Sequence, residues 1–171
     1  IDIDPYAIIS NGDPSFLSAS SKSYLLKKLA EVAEINPHFR GSDVWREFSA
    51  NGFFTEDVVA DVEKILEETP TSDGLSSLLL ELLRGTTAAE KLTDLLTTLL
   101  LDRSQDIYQR TRALRVLSEN SNFETVRTFE ALLAEESHQA VELASELFEA
   151  SYTNHLSLND GHRLFYSIAE N

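Results

Sequence analysis

Apolar residues recur at steps of three and four along nearly the whole chain after Asp13, and the runs are cut at short intervals by proline, glycine or polar stretches. That spacing lines one face of an α-helix, whereas a half-buried strand would alternate at two. Only Tyr6 to Ile9 forms a short apolar run of the strand kind. The class that follows is all-α.

The punctuation divides the chain into about nine helices. Asp13-Pro14 supplies a cap followed by a proline at a helix start, and Leu25, Leu29, Val32 and Ala33 then define a helix over about 18–34. Asn36-Pro37 stops it, because proline lacks a donor and pushes the residue before it out of the helical region. A second helix carries Val44, Trp45 and Phe48, and Asn51-Gly52 offers a left-handed exit. Thr55 caps a helix with a stripe of Val58, Val59, Val62, Ile65 and Leu66, which Pro70 ends.

Ser72 opens a very apolar helix through Leu83, closed by Gly85, and Thr87 with Glu90 has capping-box spacing for a helix running to about Leu101. After the polar turn 102–106, helices are expected over about 107–119, 123–135 and 137–150, with a last one from Ser157 or Asn159 to Ala169. Short connections favour antiparallel neighbours. Ala113 with Leu117 and Ala144 with Phe148 share a small-then-large step, and they lie 31 residues apart, about one helix pair. Stacked antiparallel helix pairs, a short α-solenoid, are therefore expected, with a single helical bundle as the alternative. Residues 1–171 read as one helical-repeat domain, with a subdivision into leading helices 1–70 and repeat helices 71–171.

Composition narrows the function classes. There is no cysteine, which excludes disulfides, thiolate metal sites and cysteine nucleophiles. With 29 Asp and Glu against 14 Lys and Arg, the net charge is -15, a field that opposes nucleic-acid phosphates and anionic membranes alike. No run is long enough for a membrane span and no signal-peptide pattern occurs, so the cytoplasm is the expected location. A chain that begins Ile-Asp-Ile-Asp and contains no methionine reads as a piece of a longer protein.

The stretch Leu79 to Gly85, then Leu92 to Asp102, then Asp106 to Leu117 resembles HEAT-like repeats. In particular it is similar to the helical segment beyond the nucleotide-binding core of bacterial NACHT-type (STAND) NTPases of antiviral defence. An Asp turn there leads into a helix with Arg and then Ala-x-x-x-Leu, and Asp106, Arg110, Ala113 and Leu117 fill those places. The resemblance implies a segment that links an ATPase motor to a sensor or itself contacts a ligand. No G-x-x-x-x-G-K-[ST] loop is present, so nucleotide chemistry would lie outside these residues.

The candidate sites are few. Arg103, Arg110, Arg112, Arg115 and Arg127 form the one basic stretch, a candidate partner or anion surface; the plainer reading sends Arg110 back to Asp106 or across to a neighbouring acidic helix. Trp45, Phe53 and Phe54, with Phe48, are either helix packing or an aromatic partner contact. His155, Asp160 and His162 are close in sequence but too few for a zinc site, and Glu67-Glu68 and Glu135-Glu136 read as solvated helix ends rather than acid/base pairs. Ser18 to Lys22 reads as a helix start rather than a Ser-Lys dyad. No catalytic, cofactor or metal residue is assigned. The expected function is a non-catalytic helical scaffold, sensor or regulatory segment of a larger defence NTPase, with protein partners. The alternatives are a stand-alone adaptor, or a helical enzyme or ligand-binding domain whose site draws on Arg110, Arg112 and His138 or His162.

Overall fold

Short polar side chains fix where the helices begin, and leucines fix which way they face. The computed structural model describes residues 5, 7–8, 13–35, 52–68 and 74–170. Among these residues the chain is all-α: nine α-helices and two short 3-10 turns, with no strand beyond one isolated bridge between Tyr152 and Leu156. No helix among them is long and apolar enough to cross a membrane. Two compact units divide the chain at Leu92/Thr93.

In the first unit, Asp13 accepts from the Ser15 amide at 3.1 Å and opens the turn Pro14–Phe16. Helix α1 (Ala19–Ile35) starts beneath Ser18, whose hydroxyl accepts from the Ser21 amide. A 3-10 turn, Glu56–Val58, leads into α2 (Val59–Glu68), where Val58, Val62 and Leu66 form the buried stripe. Helix α3 (Gly74–Leu83) packs on both α1 and α2. Leu75 to Leu80 are buried without a break, as are Leu82 and Leu83. A helix buried nearly all round is a core element, and each leucine withdrawn from water contributes about 1.5–3 kcal/mol. A boundary at 70/71 would have parted α3 from the helices it covers.

Gly85, at φ 66, provides the left-handed residue that ends α3. The cap that follows is Thr86, not Thr87: its hydroxyl donates to the Leu83 carbonyl at 2.7 Å and accepts from the Ala89 amide. The capping-box spacing at Thr87 was therefore one residue out of register. Helix α4 (Thr87–Lys91) is brief, because the chain turns at Leu92 instead of running on to Leu101. Thr93 and Asp94 then start a fresh helix, as residues of this kind favour a first turn over an interior.

The second unit comprises α5 (Thr93–Leu101), α6 (Ile107–Ser118), α7 (Thr125–Leu133), α8 (His138–Ser151) and α9 (Leu158–Glu170). Asp106 caps α6 through the Tyr108 amide at 2.8 Å, and Ser137 caps α8 through the Ala140 amide at 3.1 Å. Helix α5 packs on α6, α7 on α8, α5 on α7, and α6 on α8, while α9 rests on α8. The core runs through Leu96, Leu100, Ala113, Leu117, Phe129, Leu132, Ala144 and Leu147. Gly161 lets α9 approach: a Cβ there would lie 2.9 Å from the Phe148 ring.

Candidate functional site

Arg110 stands first among the large, fully buried side chains of the described residues, at 0% exposure. Its burial follows from what α5 leaves undone. The Leu100 carbonyl, in the last turn of α5, lacks a helical donor because the Ser104 amide donates instead to Asp102 Oδ1 at 2.9 Å. Arg110 Nε supplies the missing bond at 2.7 Å. Its two Nη atoms then meet the two carboxylate oxygens of Glu135 at 3.0 and 2.6 Å, a bidentate fork.

Glu135 sits in the turn between α7 and α8 with its side chain 6% exposed. Burial alone would raise its pKa. The Arg110 hydrogen bonds, a 2.6 Å bond donated by Ser137 and the charges of Arg110 and Arg103 outweigh it and hold the carboxyl below the usual glutamate range. Asp102 is likewise held low, first by Gln105 and Ser104 hydrogen bonds and last by the Arg110 charge. A carboxylate so firmly ionised and so completely bonded is a poor proton shuttle. The cluster ties together the ends of α5, α6 and α7.

Three expectations are corrected here. Arg110 is no part of a partner or anion surface, since a guanidinium with no exposed area presents nothing to solvent. Of the two partners the plainer reading allowed, Asp106 is committed to capping α6, and the counter-ion is an acid across the fold, Glu135, in the turn after α7 rather than on a helix. Glu135 in turn is not a solvated helix-end acid, unlike Glu67 and Glu68, which are exposed. The other arginines lie outside the core yet are engaged: Arg115 with Glu146 at 2.7 Å, Arg127 with Glu124 at 2.9 Å, Arg112 with the Tyr108 carbonyl at 3.2 Å, and Arg103 3.9 Å from Glu135. They do not converge on one basic site.

The aromatic candidates divide as well. Phe53 and Phe54 are both fully buried, edge-to-face at 5.0 Å between centroids, with the Phe54 carbonyl accepting from the Ala88 amide. They are core of the first unit, so the exposed aromatic contact is withdrawn for this pair. Trp45 lies outside the described residues, as do Phe48 and His38.

Lys22 is the buried cation among the described residues of the first unit. Its Nζ donates to Thr55 Oγ1 at 2.6 Å and to Asp57 Oδ1 at 3.3 Å, and the Thr55 hydroxyl in turn donates to Asp57. The Thr55 bond, with the Lys22 bond and charge, keeps Asp57 below the usual aspartate range against the opposing effect of burial.

His138, His155 and His162 are exposed, and Asp160 accepts from the Ser157 amide and hydroxyl at the start of α9. Among the described residues no three carboxylates or imidazoles come together as metal ligands would. Two grooves mark the second unit. One, of about 470 Å³, runs between α5 and α7 past Thr97, Thr98, Arg127 and Thr128. The other, of about 660 Å³, lies between the end of α7 and α9. Neither is lined by Arg110, Arg112, His138 or His162, the side chains that a dispersed catalytic site would have used.

What sequence reasoning missed is the outer face of α9. Leu158, Phe165, Tyr166 and Ile168 are all exposed, while Leu164 turns inward. The signal was present: Leu158 and Phe165 are seven apart, on a side of the helix that Leu164 does not share. Comparison of the chain with protein families, with curated proteins and with solved structures gives no match.

Proposed function

We propose that this chain is a helical interaction segment, a scaffold or sensor element that meets protein partners and carries no chemistry or cofactor of its own. The observation that carries the reading is the contrast on α9 between a buried Leu164 and a solvent face of Leu158, Phe165, Tyr166 and Ile168. Aromatic side chains gathered on one exposed helix are the usual anchors of a protein interface. Packing of α5 on α7 and of α6 on α8 supports a repeat-like stacking of helix pairs in the second unit.

The pattern of Asp106, Arg110, Ala113 and Leu117 supports placing the segment in a larger, cytoplasmic bacterial defence NTPase of the NACHT type. On that reading the phosphate-binding loop lies elsewhere in the parent. Calorimetric titration of the 171-residue protein with Mg-ATP tests the non-catalytic claim. No saturable heat is expected, and tight stoichiometric uptake would overturn it.

A further inference from the structure

The groove between α7 and α9 combines three features that its surroundings do not require. Leu133, Ala134 and Tyr166 supply its apolar lining, and Tyr166 is 68% exposed and edge-to-face with Phe165 at 6.3 Å. Its rim is acidic. Arg163, the one cation lining it, is occupied by Glu130 at 2.9 Å and lies 3.7 Å from Asp160. Glu136, at the far end, has no ion-pair or hydrogen-bond partner for its carboxylate among the described residues, and its backbone stands at φ 54.

That backbone is the third feature. A left-handed turn residue is ordinarily glycine or asparagine, and a glutamate there is strained. The turn itself would be served better by glycine. What glutamate adds is a free carboxylate in a groove that also presents Leu133, Ala134 and Tyr166.

We propose that this groove docks a basic amphipathic helix of a protein partner, with apolar side chains over Leu133, Ala134 and Tyr166 and a Lys or Arg reaching Glu136. The assignment rests on the interaction-segment reading and gives it a site. Charge selects the occupant: residues 93–171 hold 13 Asp and Glu against 6 Lys and Arg, a net charge of -7 that attracts a cationic partner and repels an anionic one. A second copy of the chain would bring the same acidic rim against itself. A metal ion would find one free carboxylate, too few ligands to hold it. Beyond the groove α9 also exposes Phe165, next to Tyr166, and Leu158 about two turns before it, further apolar surface for a docked helix.

The test uses the 171-residue protein and three fluorescently labelled peptides read by anisotropy: an amphipathic Lys/Leu helix, a Glu/Leu helix with the same apolar pattern, and the Lys/Leu composition scrambled to destroy the apolar face. Saturable binding of the first alone is expected. Tyr166→Ala should weaken it roughly tenfold and Glu136→Gly roughly threefold. Circular dichroism should show both variants folded, with Glu136→Gly unfolding at higher urea than the parent.

Equal binding of the acidic or scrambled peptide overturns the proposal, as does indifference to Tyr166→Ala. Concentration-dependent dimerisation abolished by Tyr166→Ala would assign the groove to a second copy instead, and so also overturns it. Failure of all three peptides with no uptake of Mg-ATP removes this groove assignment while leaving the interaction segment standing; uptake of Mg-ATP removes that broader reading.

Discussion

Among the described residues each compact unit buries one cation, and the two are held in different ways. Lys22 rests on a threonine hydroxyl and on Asp57, whose side chain is 35% exposed and reaches water. Arg110 is enclosed together with its carboxylate, and it bonds a helix-end carbonyl and both oxygens of Glu135. The difference follows from shape. An ammonium is a compact, strongly hydrated charge, best left with a path to solvent, whereas the planar guanidinium can satisfy a carbonyl and both oxygens of a carboxylate from one position. Cutting either contact should therefore have unequal effects.

The largest effect is expected for Arg110→Ala, which strands Glu135 in a nearly dry site. Loss of one partner of a buried pair costs about 3–5 kcal/mol, so the urea midpoint of the second unit should fall steeply. A change under about 1 kcal/mol would show that Glu135 finds water easily, and the contrast with Lys22 would collapse. Acid offers a second, smaller route to the same pair. Because the folded pKa of Glu135 lies below its unfolded one, the associated stability is present above the ordinary glutamate range and is lost as pH falls through the folded value. Glu135→Gln should be less stable at neutral pH and should lose part of this acid-side slope. An unchanged slope would assign acid sensitivity to other carboxylates.

Lys22→Met should do least. The methionine keeps the buried stem, Asp57 turns to solvent, and Thr55 still donates to Asp57, so a shift within about 1 kcal/mol is expected in the same urea experiment. A loss as large as that from Arg110→Ala would make the two cations equivalent.

Helix class and most helix starts were legible because they are local. Asp106 and Ser137 each bond an amide two or three residues on, and such offsets can be read directly from a string of letters. The exceptions are instructive. Thr86 and Thr87 are neighbours of identical chemistry, so spacing alone could not choose the cap. Arg110 and Glu135 stand 25 residues apart in the chain, and the acids nearer in sequence gave no reason to pass them over. The strained Glu136 was hidden for another reason: positive φ belongs to the turn, and nothing in the residue type announces it.

A leucine-lined contact tolerates sliding. Leu96 and Leu100 are both fully buried on α5, four residues apart, so moving that helix along its axis by one turn, about 5.4 Å, would place leucine where leucine had been. Arg110 does not tolerate it. Carbonyls in the body of α5 are already spoken for, and only one near its final turn is open to Nε while the fork still spans to Glu135. The arginine thus acts as an end stop, giving a repetitive apolar seam a single address.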